Sequence, residues 1–389
     1  MRTRIPAAML FIILGGLPLH AEDVQLTENA STIKITIGDE VFGVYQFGDQ
    51  WKKPFMFPVS GPGGLELLKD GLEDEPADEY APGNKVFVAQ ENAELRVLDQ
   101  ATGEVDFGEI VEIADVDGEW LWIPEKNGWI HQHDIIPLKS NVTRIVDADP
   151  PTGLDRTHPL YYDHPHHKGI WLSIDEVNGI RFWAEDGVIR NVGVEILEEQ
   201  GDPARFRVTN HWLGEDEKPV AIETTTISVF ANRLLVYDIT FAADEKPVTF
   251  DDTKEGLFGI RLPNSMREFI SEGPITGADG VVGSAELWGK PAAWIDYVGA
   301  VDGHSFGVTL MDHPENFRPS RYHVRDYGLF SINPFGEAAY SRGDEEAKPV
   351  TLQPGETLNL RYGLYVHAGG VEEGQVAEAY EQFVAVEEE

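Results

Sequence analysis

Residues 204–241 read ARFRVTNHWLGEDEKPVAIETTTISVFANRLLVYDITF. Three runs, 204–212, 221–230 and 234–241, are rich in β-branched and aromatic residues with polar residues interleaved. That is the period-2 pattern of strands with one face buried. Between them stand two turn signals, residues 215–219 and Ala231-Asn232-Arg233, and Glu199-Gln200-Gly201-Asp202-Pro203 precedes the first run. The chain therefore doubles back on itself in antiparallel strands. Ile33-Lys34-Ile35-Thr36-Ile37 alternates in the same way, and residues 306–311 and 358–366 predict a further strand pair. Only residues 373–386 predict a helix, with Val376, Tyr380 and Phe383 at i, i+4 and i+7. The expected fold class is all-β: an antiparallel β-sandwich with a short C-terminal helix.

A second unit interrupts this pattern. Residues 69–83 are acidic, hold Pro76 and Pro82, and read as a linker. Residues 84–140 then predict five short strands, with the landmarks Gly108-Glu109-Ile110, Gly118-Glu119-Trp120-Leu121-Trp122 and Gly128-Trp129-Ile130. This stretch resembles a bacterial SH3-like barrel inserted in a loop. The resemblance implies either cell-wall contact or a passive spacer. The expected organisation is a signal peptide at 1–21, a first sandwich part at 22–68, the linker at 69–83, the insert at 84–140 and the main sandwich at 141–389.

The apolar residues 7–19 follow Arg2 and Arg4 and precede Ala21, which predicts a secretory leader cut after Ala21 and an exported protein, periplasmic or extracellular. The leader is too short for a membrane span, which needs about 20 residues, and nothing later in the chain is long enough. A lipoprotein anchor is not expected, because no cysteine is present. Any metal site must be built from His, carboxylate or carbonyl ligands. The net charge of −38 argues against nucleic acid as a partner.

Residues 161–183, YYDHPHHKGIWLSIDEVNGIRFW, concentrate the chemistry. Pro165 keeps the histidines out of a helix interior, and on an extended segment His164 and His166 share a side while His167 takes the other. Asp163, His164, His166 and His167 could bind a divalent metal (Zn, Mn, Fe or Cu), with His164, His166 and His167 as the tentative ligands. They could equally perform acid–base work on a sugar, or hold a turn together. Asp252-Thr253-Lys254-Glu255-Gly256 offers Glu255 as an acid or base and Lys254 as a charge stabiliser. Asp312-His313-Pro314 places His313 at a strand end. In 323–327, alternation puts His323, Arg325 and Tyr327 on one strand face. No Gly-rich phosphate loop and no Gly-x-Ser-x-Gly motif is present.

Several blocks resemble an exported bacterial family labelled methane oxygenase PmoA-like. They include Lys53-Pro54-Phe55, Gly61-Pro62-Gly63-Gly64, Val142-Thr143-Arg144, residues 163–169 and 175–183, Asp252–Gly256, Trp288-Gly289-Lys290 and Asn333-Pro334-Phe335-Gly336. The family label implies a metal-dependent (Cu or Fe) oxidase or oxygenase. The family's fold resembles galactose-mutarotase-like sandwiches, which implies a carbohydrate or glycan substrate.

The reading that follows is a carbohydrate-active enzyme performing hydrolysis, elimination or epimerisation. His164, His166, Glu255, Lys254 and Arg325 are its catalytic candidates. Asp163, Lys168, Trp171, Asn178, Trp183, His313, His323 and Tyr327 are its substrate-binding candidates. A metal-dependent oxidase and a non-catalytic glycan- or cell-wall-binding protein are the alternatives.

Overall fold

The structure is a computed structural model that describes residues 23–65, 67, 80–98, 100–138, 166–214, 217–271 and 273–387. The leader, most of the linker, Asp163 and His164 lie outside these residues.

Two large antiparallel sheets make up the body. One has nine strands, in the order Gln200–Gly201, Val24–Glu28, Thr32–Ile37, Glu40–Gln46, Phe55–Val59, Ile170–Leu172, Phe258–Arg261, Leu329–Asn333, Arg321–Val324. The other has eight, in the order Val188–Glu198, Ala204–Leu213, Pro219–Val229, Leu234–Ala242, Thr357–Ala368, His304–Asp312, Trp294–Val301, Ile275–Gly277. One apolar core joins them: Ile35, Phe57, Trp171 and Phe258 from the first sheet meet Phe206, Ile227, Tyr237 and Leu364 from the second. The strand Ala204–Leu213 buries alternate residues, as its sequence predicts, and each fully buried large apolar side chain contributes about 1.5–3 kcal/mol. The protein is thus mostly antiparallel β with few helices.

The helix Val376–Ala385 covers the outer face of the eight-stranded sheet. Its Ala379 and Phe383 pack on Phe230, Val236, Met311 and Tyr365. Among the described residues, no helix is long and apolar enough to cross a membrane.

Residues 85–137 form a small unit with a core of its own, centred on Val86, Val88, Leu95, Leu121, Ile123, Ile130 and Ile135. Its five-stranded sheet runs Gln100–Val105, Ala93–Val97, Gly128–His131, Trp120–Ile123, Asp115–Asp117. A three-stranded sheet joins Ile135–Pro137, Lys85–Val88 and Ile110–Glu112. The strand Gln100–Val105 escapes the sequence pattern because all but its last residue are exposed.

Three neighbouring strands of the eight-stranded sheet bury a charged cluster. His367 Nε2 lies 3.0 Å from Asp296 Oδ1, which also accepts from Thr309 Oγ1 at 2.9 Å. All three residues are buried. Space for the imidazole comes from Gly374, where a Cβ would stand 2.0 Å from His367 Nδ1. Burial pulls the His367 pKa down, but the bond to Asp296 and its charge outweigh burial, so the net shift is upward. A raised pKa contributes stability that is complete below the ordinary histidine value, about 6.5, and is lost as pH rises through the folded value. His367→Leu leaves Asp296 buried without its ion partner and should cost about 3–5 kcal/mol. Urea unfolding of both proteins should show that the wild-type advantage is larger at about pH 6 than at about pH 9. An advantage that does not change with pH would refute the assignment.

Candidate active site

The short strand Ile170–Leu172 lies between Phe55–Val59 and Phe258–Arg261. Gly169, just before it, has φ +55°, and a Cβ there would stand 2.1 Å from the Met56 carbonyl oxygen. Only glycine fits that approach. Beyond Leu172 the hydrogen-bonded ladder continues: Ser173 N donates to Leu257 O and Asp175 N to Glu255 O, each at 2.8 Å. The loop after the strand therefore runs beside the Asp252–Gly256 segment and sets Asp175 next to Glu255.

Both side chains face a cavity of ≈ 340 Å³, which His166, His167, Trp183 and Tyr327 also line. Glu255 Oε1 accepts from Lys254 Nζ at 2.6 Å. Its Oε2 lies 3.3 Å from the buried His323 Nδ1, at ion-pair distance but without the alignment of a hydrogen bond. Burial pushes the Glu255 pKa up, but His323 and Lys254 outweigh burial and bring it down to about 2. Asp175 moves the other way. Burial first, then the charges of Glu255 and Glu176, raise it to about 6.

Aromatic rings and buried charges form the wall behind the cavity. His167 stacks on Trp171 at 5.2 Å and meets His166 edge-on at 4.5 Å. Trp183 Nε1 donates to His167 Nε2 at 3.2 Å, and Arg261 Nη1 stands 3.1 Å from Nδ1. Further back, Lys168 Nζ reaches both Glu185 oxygens at 2.6 Å. Lys53 Nζ donates to the His166 carbonyl at 2.6 Å and lies 3.0 Å from Glu185 Oε1. Burial lowers the Lys53 pKa to about 8, against the attraction of Glu185 and with the repulsion of Lys168.

The candidates read from the sequence divide accordingly. His166, Trp183, Lys254, Glu255 and Tyr327 line the cavity. The strand expected over 323–327 stops at Val324, and Arg325 and Tyr327 lie beyond it. The group still converges, with Arg325 Nη1 3.5 Å from His323 Nε2 and its guanidinium 5.2 Å over Tyr327. Trp171 and Lys168 support the wall from behind. Asn178 does not reach the cavity: it is exposed and joins its loop to Pro247 O and Thr249 N. His313 lies elsewhere as well, packed edge-on against Phe383 beneath the C-terminal helix. Asp175, Lys53, Glu185 and Arg261 are additions from the structure. Asp175 stood within the conspicuous 161–183 stretch, whereas nothing local marks Glu185.

For a metal, the fit is limited. Both in-plane sides of the His167 ring are occupied by donors, so it could ligate only by displacing one. No three His, Asp or Glu side chains gather at metal-binding distance among the described residues. Asp163 and His164, the other ligand candidates of that stretch, lie outside those residues.

Two other concavities are less suited to chemistry. The groove of ≈ 290 Å³ around Arg205, Arg207 and Arg361 has its guanidiniums paired with Glu198, Glu195 and Asp238. The cleft of ≈ 480 Å³ lined by Leu67, Ile110, Ile270 and Val301 is mainly apolar.

Fold and site together define a β-sandwich protein with a carboxylate-bearing pocket at the sheet's central ladder. Residues 140–381 match the model of DUF6807, a family of unknown function, and the chain belongs to that family. This corrects the resemblance to the methane oxygenase PmoA-like family. Most of the blocks that suggested it fall within the DUF6807 match, and short turn and strand-end segments do not distinguish one sandwich family from another. The oxidase expectation came with that label and goes with it.

No curated protein matches the chain. Among solved structures, similarity is found to the alpha-galactosidase of Lactobacillus brevis, with 13% identity, TM-score 0.35, and 76% of this chain and 42% of that one covered. The GH36 alpha-galactosidase AgaA of Geobacillus stearothermophilus gives 9% identity, TM-score 0.34, and 74% and 41% coverage. Galactose 1-epimerase of Lactobacillus acidophilus gives 8% identity, TM-score 0.28, and 90% and 98% coverage. The chain spans well under half the length of the galactosidases it matches. Likenesses this distant carry no argument about activity.

The raised Asp175 pKa has a consequence for stability. The folded carboxyl holds its proton more tightly than the unfolded one, so stability is lost as pH rises from about 4 through about 6. Asp175→Asn removes that penalty. Calorimetry should show a larger gain in Tm at about pH 8 than at about pH 4. Equal shifts at both pH values would contradict the assignment.

Proposed function

We propose that the protein is a carbohydrate-active enzyme that works at the anomeric carbon of a sugar by general acid–base catalysis. The observation that carries this reading is the pair Glu255 and Asp175, which share one cavity with pKa values driven apart to about 2 and about 6. Two carboxyl groups with separated pKa values divide the roles of base and acid between them. Near pH 6 Glu255 is ionised and Asp175 still holds its proton part of the time.

Hydrolysis uses both states. Asp175 delivers its proton to the leaving oxygen as the bond from the anomeric carbon breaks. Glu255 takes a proton from the water that forms the new bond to that carbon. Exchange with solvent then returns each carboxyl to its starting state. Epimerisation would use the same two groups, one to remove a proton from the anomeric hydroxyl and one to supply a proton to the ring oxygen. His323 and Lys254 keep Glu255 ionised. Trp183 and Tyr327 supply apolar surface for a sugar ring, and the cavity volume is at the small end of ligand pockets.

Screening aryl glycosides, oligosaccharides and free aldoses should find a substrate that is turned over. On it, Glu255→Gln and Asp175→Asn should each lower kcat/KM by about 10²–10⁴-fold. The wild-type rate should fall as pH rises above about 6, because the acid is then deprotonated, and the limb should vanish in Asp175→Asn. Retention of the wild-type rate by either variant would overturn the reading.

A further inference from the structure

The small unit displays an aromatic face that its core does not use. In its five-stranded sheet Leu95, Leu121, Ile123 and Ile130 point inward and are buried. By alternation the intervening residues point outward. Trp122 stands opposite Trp129, and Trp120 opposite His131. The ring pairs lie 5.5 Å and 4.9 Å apart. None of the three tryptophans belongs to the core cluster of the unit, and none of their indole N–H groups has a hydrogen-bond partner among the described residues.

Carboxylates border this face. On the edge strand Asp117 stands opposite Trp120 and Asp115 opposite Trp122, both exposed. On the other side, Arg96 lays its guanidinium 5.3 Å over the Trp120 ring and pairs with Glu94. The chain thus already places one cation over an indole beside an acid, using side chains that remain about half exposed (45% and 47%). A ligand cation with an apolar body would meet the same chemistry at the Asp115 and Asp117 border.

We infer that this face docks an amine-bearing oligosaccharide. Its ring C–H faces lie on Trp122 and Trp129, its hydroxyls accept from the indole N–H groups, and its ammonium groups pair with Asp115 and Asp117. The protein's net charge of −38 favours such a cationic chain over an anionic one. Four strands spaced ~4.8 Å apart give a platform roughly 14 Å wide, suited to an extended chain rather than a single sugar. This inference stands apart from the proposed catalytic site.

The test is a tryptophan-fluorescence titration of the full chain with a glucosamine hexamer and with its fully N-acetylated counterpart. The amine form should bind at least about tenfold more tightly, a difference of about one decade in Kd. Its binding should weaken as salt rises from about 50 to about 300 mM. Trp122→Ala and the pair Asp115→Asn with Asp117→Asn should each reduce affinity about tenfold or more. The Asp variants change exposed groups only, so they test the face even if the Trp variant folds poorly. Glu255→Gln should leave docking unaltered, which separates this inference from the proposed activity. Equal binding of the acetylated oligomer, or of a lysine-rich peptide of matched charge, would overturn it. So would full affinity in the Asp variants, or no binding at all.

Discussion

The ladder that seats Ile170–Leu172 between Phe55–Val59 and Phe258–Arg261 holds the nine-stranded sheet together. Every strand of the sheet on one side of it comes from residues 24–59, apart from the two-residue edge strand Gln200–Gly201, and every strand on the other from residues 258–333. Three residues, all buried, thus join regions far apart in the chain. The same ladder runs on through Ser173 and Asp175 and pairs them with Leu257 and Glu255. Strand pairing and the placing of Asp175 beside Glu255 therefore use the same run of backbone hydrogen bonds.

Around that seam the protein buries charge. Lys53, Lys168 and Arg261 are all buried, and Glu185 is largely so. Removing such groups from water is costly unless each finds a partner. Here Glu185 serves both lysines, and one of these also holds the His166 carbonyl. Residues on either side of the small inserted unit are thereby fastened together, since Lys53 precedes it and His166 and Glu185 follow it. The arrangement leaves Glu255 and Asp175 in one cavity with opposite shifts. Glu255 has Lys254 and His323 beside it, whereas Asp175 has Glu255 and Glu176.

Much of the sandwich was legible because strand period and turn chemistry are local. The strand expected at 204–212 is Ala204–Leu213, that at 358–366 is Thr357–Ala368, and the helix expected at 373–386 is Val376–Ala385. Ile170–Leu172 and Phe258–Arg261 were not legible, because they are short and buried on both faces, and alternation disappears there. At the site, the unusual density of histidine and the Lys254-Glu255 pair were visible. Asn178 and His313 looked equally chemical but serve a loop and a helix contact. Residue type announces reactivity, whereas only position decides whether a side chain faces a cavity or ties a turn.

By itself the sequence determined the class of fold and the strongly acidic composition. These depend on local pattern and composition, which need no knowledge of distant contacts. Tertiary structure alone decided that Asp175 lies beside Glu255, that Lys53 and Glu185 meet behind His166, and that Trp120, Trp122 and Trp129 share an outward face. Each of these depends on strand register and on pairing across long stretches of chain. Register sets which groups lose water and which charges they meet, and those two factors set the pKa shifts on which the proposed acid and base roles rest.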